Sequence, residues 1–310
     1  MSKALKILSR PQGNAEEYGR WSVNPYLGCK HECLYCYLKK GVWANGLGGS
    51  TAELKTGVFN EEHAYHLAMT EIYANFRKIL SDGGLFMTFT SDPCTKETQE
   101  VFFRIATESA YKLGIPVMIL TKSADFINFW RFTSIANGEL DHKGRIKSRL
   151  SFGWTLTGHD ELEPNASPNA KRIDAMRLVS VYGFKTWASI EPVIDFPSAL
   201  DMVCQAVNAG CQHFKIGLLT NNTRVVRKDF EFGGHHFDAY KVDECVDFIT
   251  KVMTLTRDKA TVYWKQSVRE FIRTCRKPAL TDDELRKVFD TWPNSVSKDY
   301  SMFTSNDYGK

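Results

Sequence analysis

Three cysteines lie within eight residues of one another in the segment NPYLGCKHECLYCY at residues 24–37: Cys29, Cys33 and Cys36. Their spacing is C-x3-C-x2-C, and no fourth cysteine is nearby. A structural zinc site takes four closed ligands, and a ferredoxin-type cluster takes four thiolates. Three thiolates on one tight loop leave one iron of a 4Fe–4S cubane without a protein ligand. The amino and carboxylate groups of S-adenosylmethionine can fill that position. An electron from the cluster then breaks the sulfonium–carbon bond and releases a 5′-deoxyadenosyl radical, chemistry that the cofactor brings with it. The same residues also admit a zinc ion completed by His31 or by a distant cysteine. Tyr35 and Tyr37 flank Cys36 and read as apolar shielding around the bound group.

The rest of the composition narrows the class. The other five of the eight cysteines, Cys94, Cys204, Cys211, Cys245 and Cys275, are scattered through the 310 residues, which is no disulfide framework. No apolar run reaches the roughly 18–20 residues of a membrane span. The start, MSKALKILSRPQG, has no sustained apolar region, so no signal peptide is read. A cytoplasmic protein without a membrane partner is expected. The net charge of +4 permits a polyanionic partner without arguing for one.

Positioning such a loop takes a scaffold, and the chain has a clear rhythm of short apolar runs and amphipathic stretches. The pattern predicts strands at 84–90, 116–121, 149–157, 185–190, 213–218 and 261–265. It predicts helices at 98–113, 124–135, 168–182, 198–209, 243–255 and 267–275. Gly114, Gly183 and Gly210 each follow a helical stretch as stop signals. Alternating strands and helices argue for parallel βα units, and their number suits a partial or full (β/α) barrel. In such barrels the chemistry sits at the C-terminal ends of the strands. Residues 1–218 are read as the barrel core. Residues 219–310 are read as its continuation with a C-terminal extension, a candidate substrate-selecting region.

Several segments beyond the cysteine loop resemble the radical S-adenosylmethionine superfamily, in its spore photoproduct lyase-like branch. NPYLGCKHECLYCY is followed in the branch's order by TSDP at 90–93, LTKS at 120–123, EPNASPNAKRIDAMR at 163–177 and SIEPVID at 189–195. The resemblance spans roughly residues 20–200. It implies a 4Fe–4S cluster at the open mouth of the barrel and S-adenosylmethionine beside it. It places Ser91 against the methionine moiety, Lys122 against the cofactor's carboxylate and Thr155 near the ribose, where SFGWTLT stands for the more usual SFSIT. Glu191 either borders the adenosine or pairs with Arg172 in the barrel wall. Tyr35 and Tyr37 match the tyrosines of the lyase relay. The lyase has a cysteine hydrogen donor directly before TSD, where this chain has Phe89; Cys94 is the nearest thiol in sequence.

Residues 219–240 read as a loop that covers or selects a substrate, and no carboxylate spacing joins His235 or His236 into a metal site. Arg269, Arg273 and Arg276 fall on one helical face with Lys277 beside them, either a phosphate contact or a solvated face. The leading expectation is a lyase-like radical enzyme acting on a nucleic-acid base or nucleotide, reduced by an external donor of the flavodoxin or ferredoxin type. A radical enzyme for a peptide or small molecule and a non-catalytic cluster- or zinc-bearing binding module are the alternatives.

Overall fold

The computed structural model describes residues 5–39, 48–125, 149–221, 224–275 and 280–296. Its frame is a nine-stranded sheet in the order β1 (Leu8–Ser9), β2 (Ser22–Val23), β5 (Leu85–Met87), β6 (Val117–Thr121), β7 (Leu150–Thr155), β8 (Lys185–Val193), β9 (His213–Leu218), β14 (Thr261–Trp264) and β15 (Ser295–Val296). All neighbouring pairs from β2 onward are parallel; β1 pairs antiparallel at the edge. The spatial order follows the chain order, as a partial (β/α) barrel requires. Three small antiparallel pairs complete the strands: β3 (Tyr26–Leu27) with β4 (Glu53–Leu54), β10 (Thr220–Asn221) with β11 (Arg224–Val225), and β12 (Phe230–Phe232) with β13 (His235–Phe237). The helices are α1 (Glu61–Ser81), α2 (Gln99–Thr107), α3 (Asn169–Val181), α4 (Phe196–Asn208), α5 (Val242–Thr256), α6 (Gln266–Cys275) and α7 (Asp282–Phe289). None of them is long and apolar enough to cross a membrane.

The period of two along each strand divides the buried residues into two sets. Phe152 and Trp154, Ala188 and Ile190, Phe214 and Ile216, and Val262 and Trp264 face the helices and form the large core. The opposite face of the sheet carries Phe86, Met118 and Trp187, which pack with Tyr18 into a second, smaller cluster inside the barrel. Gly153 makes room for it: a Cβ there would lie 2.2 Å from the Trp187 ring. Polar groups extend this interior. Lys265 Nζ reaches both Glu191 oxygens at 2.7 and 2.6 Å, and Tyr18 joins Ser189 and Glu191 through its hydroxyl. Lys215 Nζ donates to Glu17 O at 2.8 Å, and Tyr263 and Gln266 hold the Glu17 carboxylate. The turn Gly13–Glu17 is therefore tied across to β9 and β14.

Several elements differ from the sequence expectation. The strand read at 84–90 stops at Met87, because Thr88 takes φ 59° and both it and the Phe89 N–H donate to Asn24 Oδ1. The helix read at 98–113 ends at Thr107 and continues as a π-turn, Glu108–Lys112. The helix read at 124–135 falls outside the described residues from position 126. The stretch at 219–240, read as one loop, holds two hairpins. Helix α1 was not foreseen, although Ala64, Ala68, Ile72 and Ile79 keep its helical spacing and Asn60 caps it by accepting from His63 N at 2.8 Å.

Candidate functional site

The cysteine loop leaves the β3 strand at Gly28, which takes φ +87° and lies against the backbone of residues 49–51; a Cβ there would sit 2.1 Å from Thr51 O. A glycine is required at this turn. Cys29 N then donates to Gly49 O at 3.0 Å and Leu34 N to Leu162 O at 2.9 Å. Asn165 donates from its N–H to His31 O and from its side chain to Glu32, and its own carbonyl lies 3.1 Å from His31 Nδ1. The segment 162–166, which runs into the EPNASPN stretch at 163–169, is thus a buttress for the loop.

Asp92 is the second anchor. It is buried, with His31 Nε2 3.0 Å from one oxygen. It also accepts from Thr121 Oγ1 at 2.7 Å, Lys122 N at 2.8 Å and Cys94 N at 2.9 Å. Burial alone would raise its pKa, but the His31 charge and these hydrogen bonds hold the carboxyl down at about 2. One carboxylate therefore joins the cysteine loop to the ends of two barrel strands.

A cavity of about 150 Å3 opens between these parts, lined by Cys29, Cys33 and Cys36 on one side and by Ser91, Lys122 and Thr155 on the strand ends. That is roughly ten times what a single water needs. Among the residues lining the cavity there is no fourth cysteine, and the His31 ring nitrogens face Asn165 O and Asp92 instead; a closed zinc site takes four ligands. The donor set fits a multi-iron group with three protein ligands. Burial, with the Asp92 charge second, pushes the Cys29 thiol up to about 12; burial also raises Cys33, with Lys122 opposing. Thiols of this kind bind as thiolates only when a cation takes the proton's place.

The other sequence-predicted residues divide. Tyr37 lines the cavity and its hydroxyl donates to Phe89 O. Tyr35 does not line it: its hydroxyl donates to the buried Glu163. Phe89 lines the cavity, stacked on Phe86 with ring centroids 4.4 Å apart. Cys94 lies outside the lining, and burial holds its thiol well above the ordinary range. Glu191 also lies outside the lining and pairs with Lys265. Arg172, the partner considered for it, instead pairs with Glu163 at 2.6 Å, because α3 turns it under the cysteine loop. Ser91 lies beyond the end of β5, 3.3 Å from Thr88 Oγ1. Sequence reasoning missed Glu163 and Lys265 as partners; an acidic and a basic residue far apart in the chain carry no local signal.

Outside this site, the β12–β13 hairpin brings Asp229 and Asp238 beside His236, contrary to the expectation that no carboxylate joins that histidine. All three are exposed, and such acidic surface sets are common without an ion. The basic face read on α6 is partly used internally: Arg269 donates to Trp264 O and pairs with Asp290, while positions 276 and 277 lie outside the described residues.

No family model matches the chain. An uncharacterized protein of Methanocaldococcus jannaschii is 26% identical over 197 residues, covering 59% of this chain and 63% of that protein, less than two thirds of its length. Among solved structures, spore photoproduct lyase complexed with dinucleoside spore photoproduct aligns over 83% of this chain and 80% of that one, with TM-score 0.55 and 13% identity. A mutant of the same lyase gives TM-score 0.57 at 12% identity, over 85% and 81% of the two chains. Streptococcus suis SuiB bound to S-adenosylmethionine gives TM-score 0.51 at 12% identity, over 79% of this chain and 49% of that one. The fold is that of spore photoproduct lyase and SuiB.

Proposed function

We propose that this chain is a radical S-adenosylmethionine enzyme that holds a 4Fe–4S cluster on Cys29, Cys33 and Cys36. The observation that carries the proposal is the cavity that puts three thiols on one wall and Lys122 on another. When bound and reduced by an external donor of the flavodoxin or ferredoxin type, cluster and S-adenosylmethionine together supply a 5′-deoxyadenosyl radical. The protein's part is to bind and orient. Lys122 offers a charge for the cofactor's carboxylate, Ser91 and Thr155 offer hydroxyls, and Phe89 and Tyr37 line the same space. We further propose a nucleic-acid base or nucleotide as substrate, supported by the motif order and by the dinucleoside held by the lyase of like fold. Phe89 has no hydrogen atom to donate as a thiol would, so reversal of a thymine dimer by the lyase route is not the reaction proposed.

The test is anaerobic reconstitution with iron and sulfide. The wild type should take up about four of each per chain. Cys29→Ala, Cys33→Ala and Cys36→Ala should each abolish that uptake, and Cys204→Ala or Cys275→Ala should not. Zinc alone, unaffected by reconstitution, would overturn the proposal.

A further inference from the structure

Beneath Lys122 lies a buried group of charged side chains. The Glu163 and Arg172 side chains are both 0% exposed, with Arg172 Nη2 2.6 Å from Glu163 Oε2. Arg172 is itself fixed, donating from Nε to Ser167 O at 2.6 Å and from Nη1 to Thr155 O at 2.8 Å. The other oxygen of Glu163 accepts the Tyr35 hydroxyl. Lys122 Nζ stands 4.0 Å from that same oxygen, beyond hydrogen-bond reach, and 5.5 Å from the Tyr35 ring centroid. Among the described residues, Glu163 is the one anion paired with Lys122.

We propose that Glu163 is the positioning residue of Lys122. It holds the ammonium by charge, while Tyr35 and Arg172 occupy its two oxygens and so leave the lysine's N–H donors for an anion in the cavity. Resting on the function proposed above, that anion is the carboxylate of S-adenosylmethionine. Lysine is a point charge on a flexible stem, so a fixed counter-charge beyond hydrogen-bond reach keeps it aimed without competing. Tyr35 then acts by blocking Glu163 Oε1, and it serves here as a structural partner of the site rather than as a relay to substrate.

The decisive variant is Tyr35→Phe, which removes one oxygen and keeps the ring. Lys122 should then close onto the freed Glu163 Oε1 and turn from the cavity. Affinity is read by titrating S-adenosylmethionine into the reduced, cluster-loaded protein and following the electron paramagnetic resonance signal. Tyr35→Phe should weaken binding about tenfold, the size of one charge-assisted hydrogen bond. In a Lys122→Ala background the same change should have no effect. Glu163→Asp, which keeps the charge but withdraws it by one methylene, should also weaken binding and gives a second reading should Tyr35→Phe not fold. Wild-type affinity in Tyr35→Phe and Glu163→Asp overturns the inference. So does an equal loss with and without Lys122, which would mark general damage. So does unchanged affinity with slowed turnover, which would return Tyr35 to a catalytic role. If the wild type itself shows no response to S-adenosylmethionine, the proposed function has failed instead.

Discussion

Asp92→Asn removes one charge and leaves the shape of the side chain intact. The carboxylate serves four partners: the Thr121 hydroxyl, the Lys122 and Cys94 N–H groups, and His31. An amide can still accept from two of these through its oxygen, but its NH2 must face the Lys122 N–H and His31, a donor against donors. Its pKa of about 2, against an ordinary 3.8, makes the charge alone worth about 2 kcal/mol at neutral pH. Breaking a buried pair costs roughly 3–5 kcal/mol, so a loss of about 3 kcal/mol is expected. For a chain of 310 residues the entropy of unfolding is about 0.65 kcal/mol/K, and Tm should fall by about 5 °C at pH 6. The pH dependence carries a definite sign. The folded pKa is depressed, so the stabilisation is complete above the unfolded value and is lost as pH falls through about 2. The gap between wild type and Asp92→Asn should therefore shrink by about a third by pH 3. The assay is thermal unfolding followed by circular dichroism at both pH values. An unchanged Tm at pH 6, or a gap as large at pH 3 as at pH 6, would refute the placement of Asp92 as the charged anchor.

Gly153→Ala should destabilise by about 1–3 kcal/mol or more, since its Cβ would meet the Trp187 ring at 2.2 Å; urea unfolding with tryptophan fluorescence reads it. His159 is bonded to Asp195 and Glu161, and although burial lowers its pKa these partners raise it above the ordinary value. Its stabilisation is complete below about pH 6.5 and lost as pH rises through the raised value, so His159→Gln should be less stable than wild type at pH 6 and the two should converge at pH 9 in parallel melts. Supplied with spore photoproduct dinucleotide, the reduced wild type should return little or no thymine dinucleotide; multiple-turnover repair that Cys94→Ala abolishes would show the hydrogen donor to be Cys94.

The barrel was largely legible because its central strands, such as VMILT at 117–121 and LSFGWT at 150–155, are short β-rich runs set between helical stretches. Helices α3 and α4 end at or just before glycines that turn with positive φ, Gly183 and Gly210. Elements two residues long, such as β1, β2 and β15, have no period to detect. The cysteine loop was legible as a local motif. What holds it was not: Asp92, Glu163 and Asn165 act on partners 61 to 134 positions away, and only folding brings those positions together. The two tyrosines beside Cys36 look equivalent in sequence. The loop turns Tyr37 into the cavity and Tyr35 beneath it.

The proposed function requires that this chain cleave S-adenosylmethionine at its three-cysteine loop. The measurement is 5′-deoxyadenosine formed by anaerobically reconstituted, dithionite-reduced protein, quantified by chromatography and mass spectrometry for the wild type and for Cys29→Ala, Cys33→Ala and Cys36→Ala. Formation by the wild type and none by the three variants is the predicted result. A protein loaded with its full complement of iron and sulfide that binds S-adenosylmethionine yet forms no 5′-deoxyadenosine, with or without candidate nucleotides, would contradict it.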